Sequence, residues 1–317
     1  MNPMALAFNA VFPLLAFMLL GLALGRRNIL DRATTTGINR LMFRLCLPLG
    51  IFQSIYSADM RRDFDLTLAL FVVISGAVLF VLISLAVKRR KEAADVAPVM
   101  VQGVHKSNYV LLGLPIAASF FGSEIGMVAV LVAVITPLVN ICATIAFESA
   151  RGGEQRHDGL YYWHMLKKIV LNPLVLSSLL GLLANFSGLK LPAVILEGVI
   201  SKLAAIATPA AMMALGAGFD FKSMKKWAGQ LAFVCLGKLI IMPLILVPLA
   251  VWLGIRGANL LAVLIFSGAP TAVNSYSTAV SMGGNEELAG EVVAVTSLLS
   301  VFTLFVFLTA LGSLGLL

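Results

Sequence analysis

The chain has 317 residues, of which 60% are hydrophobic and 12% charged, and its mean hydropathy is +0.99. Soluble domains carry about 25% charged residues, so the composition excludes an ordinary soluble protein. It points to a polytopic membrane protein built of helices, because lipid offers no partner for a free N–H or C=O. The net charge of +8 is scattered between apolar runs and forms no patch for nucleic acid; it reads as a topology signal.

A spanning helix needs roughly 20 apolar residues. Ten segments qualify: 4–24, 34–57, 64–87, 97–121, 124–147, 164–187, 192–217, 227–253, 257–282 and 286–314. Residues 1–25 carry no basic residue ahead of the apolar run and no convincing cleavage site, so they form the first span rather than a signal peptide. Cys46, Cys142 and Cys235 fall singly inside spans and read as buried thiols. The longest polar break, RGGEQRHDG at 151–159, divides the chain. Residues 1–150 form a first five-helix repeat, 151–163 a linker, and 164–317 a second repeat.

The halves echo each other. SFFGSE (119–124) and SMGGNE (281–286) both mark a junction of fourth and fifth spans; the first is followed by an apolar run ending VAV (132–134) and the second by a run ending VAV (293–295). Gly113-Leu-Pro115 and Gly268-Ala-Pro270 interrupt the fourth and ninth spans. Five being odd, the second half enters from the opposite side, which is the inverted repeat common in secondary transporters. Fourteen Lys and Arg follow spans 1, 3, 5 and 7, against four on the other side. The odd loops are therefore cytoplasmic and both termini face outward.

Proline removes a helix hydrogen bond and glycine permits the turn. The freed backbone must be satisfied by protein, water or cargo, and half-helix N-termini suit an anion. HKSNY (105–109) precedes the first break and NSYST (274–278) follows the second; their amides and hydroxyls can bind a carboxylate. A packing kink is the plain alternative, and the one preferred for Pro48, Pro137, Pro173, Pro243 and Pro248, which lack polar company. Arg40, Arg44, Lys106, Lys202 and Lys238 lie inside predicted spans. Such residues are costly there and often functional. Arg40 reads as snorkelling. Lys106, Arg44 and Lys238 are candidates for charge compensation or gating, and His105 for proton relay or packing.

No aspartate lies in the middle of a span, and acids such as Asp65, Glu124, Glu148 and Glu197 fall at predicted ends. A cation pump needs a buried carboxylate, so the basic, amidic core favours an anionic cargo. No HExxH, GxGxxG after a strand, Walker loop or GxSxG is present. The chain is expected to be no enzyme, with no catalytic residues, no metal site and no cofactor.

NYVLLGLP (108–115), LNPLVLSSLLGLL (171–183), ATPAAMMALGAGF (207–219) and FSGAPTAVNSYSTAV (266–280), with the ten-span plan, resemble the auxin efflux carrier family. That family includes plant PIN-type carriers and bacterial malate and malonate permease relatives. The resemblance implies an all-α fold of the sodium/proton-antiporter and bile-acid-transporter kind: ten transmembrane helices in two inverted five-helix repeats, with broken, crossing helices 4 and 9. It implies a scaffold of spans 1, 2, 6 and 7 that dimerises, and a mobile domain of spans 3–5 and 8–10. It puts Pro115 and Pro270 at the substrate site and makes Asn108 and Asn274 ligands. Tyr109, Gly113, Ser275 and Tyr276 complete the expected site. Residues 149–163 replace the long central loop of PIN-type carriers, which favours a small organic acid over auxin. The expectation is a secondary carrier of organic anions in the cell membrane, working by alternating access. A sodium-coupled bile-acid-like carrier is the rival on the same fold; a sensor or channel is the rival from another class.

Overall fold

Short polar side chains open four of the helices. Asp31 Oδ1 accepts from the Thr34 N–H at 2.8 Å, Asp65 Oδ1 from Leu68 at 3.1 Å, Asn172 Oδ1 from Leu174 at 2.9 Å and Asn285 Oδ1 from Leu288 at 3.0 Å. Each satisfies an amide that a helix start leaves without a partner. The Thr34 hydrogen bonds also hold the exposed Asp31 carboxyl below its ordinary value.

The computed structural model describes residues 3–58, 65–109, 116–117, 126–151, 163, 167, 169–218 and 223–317. Helix α1 is Pro3–Arg26. Helix α2 runs through Arg32–Leu41, a π-turn at Met42–Cys46, and Leu47–Tyr56. Then come α3 (Leu66–Arg89), α4 (Ala97–His105), α5 (Gly126–Arg151) and α6 (Pro173–Ser187). Helix α7 is Ala193–Ala217, with a π-turn at Leu196–Ile200. Helix α8 is Ala228–Trp252, with a π-turn at Gly237–Ile241. Three more follow: α9 (Gly257–Gly268), α10 (Asn274–Ser281) and α11 (Glu286–Ser313). Among the described residues there is no strand, only one isolated bridge.

Four of these helices, α3, α7, α8 and α11, are long and apolar enough to cross a membrane. They match the predicted spans 64–87, 192–217, 227–253 and 286–314 to within two residues at each end. The sequence reading of ten full spans is met elsewhere by shorter apolar helices, among them Pro173–Ser187 and Gly257–Gly268. The predicted fourth span, 97–121, is helical only to His105 before the chain turns extended. The linker at 151–163, apart from its end residues, and the SFFGSE segment lie outside the described residues.

The packing is that of a protein in lipid. On α3, Leu66, Leu70, Ile74, Val78 and Leu82 are exposed while Leu68, Phe71, Val72, Leu79 and Ile83 are buried. A helix apolar on both faces has lipid as its outer solvent. Two short helices are enclosed: α4 is buried without interruption from Pro98 to His105 and α9 from Leu260 to Gly268.

Close helix crossings use small residues. Helix α1 packs on α7, and a Cβ at Gly21 would overlap the Met213 carbonyl, as one at Gly216 would overlap that of Met18. Helix α6 packs on α2, where a Cβ at Gly181 would stand 3.0 Å from Ile55 Cβ. Asn185 Nδ2 closes that pair by donating to the Ile55, Tyr56 and Ala58 carbonyls at 3.1, 3.1 and 2.7 Å. Gly216→Val should therefore force α1 from α7 and lower the unfolding midpoint in detergent by several degrees, since overpacking costs about 1–3 kcal/mol. Gly37→Ala, with nothing within 4 Å of its new methyl, should leave the midpoint unchanged or slightly raised.

Candidate functional site

Helices α4 and α9 both stop in the middle of the bundle, and their ends pair with each other. Past His105 the chain is extended at Lys106; past Gly268 it is extended at Ala269. The two extended pieces form an antiparallel bridge, Ser107 opposite Thr271. The Asn108 N–H donates to the Pro270 carbonyl at 2.9 Å, and the Ala272 N–H to the Lys106 carbonyl at 3.2 Å. The pairing answers where the backbone bonds lost at each break go. Pro270 supplies an acceptor and needs no donor partner of its own.

Side chains brace the bridge. Thr271 Oγ1 donates to the Gly103 carbonyl at 2.7 Å, and the Thr271 N–H donates to Thr296 Oγ1 at 3.2 Å. Ser107 Oγ donates to the Phe266 carbonyl. His105 Nε2 lies 2.9 Å from the Gly76 carbonyl of α3, and its ring meets Phe80 edge-on at 5.6 Å. That contact requires the Nε2–H tautomer.

Several buried polar atoms here have no hydrogen-bond partner among the described residues: Lys106 Nζ, Asn108 Nδ2, the Tyr109 hydroxyl, Asn274 Oδ1 and Ser275 Oγ. Lys106 is 3% exposed. The Tyr109 ring stacks near Phe266, centroids 6.4 Å apart. An unsatisfied buried polar group costs about 1–3 kcal/mol, and a charged one more, so each of these atoms calls for a partner.

The structure distributes the remaining sequence candidates differently. Lys238, fully buried on the α8 π-turn, donates to Ser107 Oγ and to the Phe266 carbonyl at 3.4 Å, so it joins the crossing. Arg44 is exposed on the α2 π-turn, and burial gives it no part in the crossing. Tyr276 is turned away from the bridge: its hydroxyl donates to Glu286 Oε1 at 3.0 Å. Gly113 and Pro115 lie outside the described residues; in the described chain Pro270 is paired with Asn108.

Two residues passed over in the sequence stand out. Asn140, 2% exposed on α5, has neither amide atom partnered among the described residues. Thr136, Asn140 and Thr144, four apart, form one polar face, and Thr144 Oγ1 accepts from Asn172 at 3.1 Å; that spacing was a readable signal. Glu291, 1% exposed on α11, is a buried carboxyl near a predicted span end. With Glu286, Glu287, Arg32 and Tyr276 it lines a cavity of about 370 Å³. The cavity lies where α10 and α11 face the α1–α2 turn and the end of α7.

Broken helices that exchange backbone hydrogen bonds inside a lipid-facing bundle, around unpartnered polar groups, define a class: membrane transport proteins. The chain belongs to the membrane transport protein family, the auxin efflux carrier family of the sequence resemblance, whose model matches residues 6–308. It is a transporter and not an enzyme. An uncharacterized transporter of Methanothermobacter thermautotrophicus is 25% identical over 297 residues, covering 93% of this chain and 95% of its own. A proposed malonate transporter of Rhizobium meliloti is 25% identical over 278 residues, covering 84% and 83%.

Proposed function

We propose that the protein is a secondary active transporter of small organic anions, carboxylates such as malate, malonate or auxin-like acids, bound at the crossing. The observation that carries this is Lys106: a buried side-chain amine without a hydrogen-bond partner among the described residues, two and three residues from the Asn108 amide and the Tyr109 hydroxyl, which also lack one there. A carboxylate is the group that would accept from the Lys106 amine, the Asn108 amide N–H and the Tyr109 and Ser275 hydroxyls together. The N-terminus of α10, with Asn274 and Ser275, adds partial positive charge. The name of the Rhizobium relative agrees with a dicarboxylate.

In this reading ten spans form two inverted repeats, 1–150 and 164–317, in the cell membrane with both termini outward. Three correspondences support the repeat. Helix α1 packs on α7 as α6 packs on α2. Gly21 and Gly181 mark the two contacts. Spans 2 and 7 each carry a π-turn. The first, second, sixth and seventh spans would form a dimeric scaffold, with the rest moving against it as an elevator. Asn274→Ala should weaken carboxylate binding by about 10-fold or more, one to two hydrogen bonds to a charged group, with the unfolding midpoint kept. Titration calorimetry on purified protein reads this; unchanged affinity would remove Asn274 from the site.

Glu291 favours a second reading, that the anion travels with a proton. A carboxyl on the same cavity as Tyr276 and Glu286, between helices that this reading assigns to the scaffold and to the mobile part, would be able to carry one. Uptake into proteoliposomes that follows an imposed pH gradient supports proton coupling; uptake indifferent to it removes that reading and leaves the anion site standing.

A further inference from the structure

Lys238 is a second buried cation at the crossing, and it reaches in from a helix that takes no part in the bridge. Gly237–Ile241 form a π-turn, and Gly237 permits a close approach to α4, since a Cβ there would lie 3.2 Å from Val104 Cγ1. The side chain ends on Ser107 Oγ and the Phe266 carbonyl. Phe266 is in the last turn of α9, where carbonyls lack amide partners and the helix carries partial negative charge.

Half-helix C-termini and unwound backbone are where carriers with broken helices hold a coupling cation. Here that place offers a terminal carbonyl and a hydroxyl from the extended segment, and an ammonium already sits on both. Lysine is a compact point charge with three donors, which suits it to stand where a small cation would. Among the described residues no cluster of His, Cys, Asp or Glu could hold a metal ion. We propose that Lys238 is a built-in counter-cation: its tethered ammonium takes the place of a bound sodium ion at the end of α9, and the protein needs no sodium. The proposal deepens the transporter reading, on which the word coupling rests; its test reads cation binding alone.

The experiment is thermal unfolding of purified protein in sodium, potassium or N-methylglucamine chloride at equal ionic strength, for wild type and Lys238→Ser. The wild-type midpoint is expected to be the same in all three. The variant, which vacates the place and adds an oxygen, should gain a sodium-dependent rise of several degrees that grows with the logarithm of concentration above saturation. A saturable sodium shift in the wild type overturns the proposal, and so does a variant indifferent to cation. If the variant aggregates, purification in sodium against potassium chloride is the readout. Monodisperse protein from sodium alone supports the exchange; aggregation in both overturns it. Carboxylate binding by a wild type that also binds sodium would keep the carrier reading and remove this one.

Discussion

Lys106→Gln is expected to reduce carboxylate uptake into proteoliposomes by 100-fold or more while leaving the fold intact or more stable. The two effects part because the Lys106 amine is buried without a hydrogen-bond partner among the described residues. In the empty protein its desolvation is uncompensated, so a neutral side chain of similar length relieves a cost. In the loaded protein the same ammonium would face the cargo. Removing one member of a buried charge pair costs about 3–5 kcal/mol, which is roughly two to three and a half decades. A packing role predicts the reverse: a lower unfolding midpoint with affinity preserved. Lys106→Arg should recover part of the uptake, because it keeps the charge but changes its shape.

Joining α2 to α10 should stop transport altogether. Ser277 Oγ donates to Asn39 Oδ1 at 3.2 Å, directly between a predicted scaffold helix and a predicted mobile one. In a background with Cys46, Cys142 and Cys235, all buried and free, replaced by alanine, Asn39→Cys with Ser277→Cys brings two thiols to that contact. Oxidation is expected to remove uptake by more than 10-fold and reductant to restore it, with anion binding retained in both states. An elevator cannot run with its two parts tied, although the site can still fill. Full uptake in the oxidised protein would mean that α2 and α10 do not move apart in the cycle.

What could be read from the sequence follows physical range. The long apolar helices were legible to within two residues at each end, because length and hydropathy are local. So was the break at Pro270, where proline and glycine act on their own chain. Its partner was not. Pro270 accepts from Asn108, a contact between residues far apart in sequence, while Pro115, the matching break of the first half, lies outside the described residues. The π-turns at Met42–Cys46, Leu196–Ile200 and Gly237–Ile241 have no sequence mark either, since they sit in ordinary apolar runs. Lys106 and Lys238 could be chosen as costly buried charges, but only the fold separates Lys238, held on Ser107 and Phe266, from Arg44, exposed on α2. Glu291 was missed because it lies near a predicted span end, and burial there depends on α7 and α10 closing over it.

The most direct test of the account is carboxylate binding by the purified wild-type protein, read as thermal shift across mono- and dicarboxylates, each with and without sodium. The account predicts a saturable shift with short-chain carboxylates, malonate and malate first among them, of equal size in the presence and absence of sodium. No shift with any carboxylate would contradict it, leaving Lys106, Asn108 and Asn274 as the lining of a site for cargo of another chemistry.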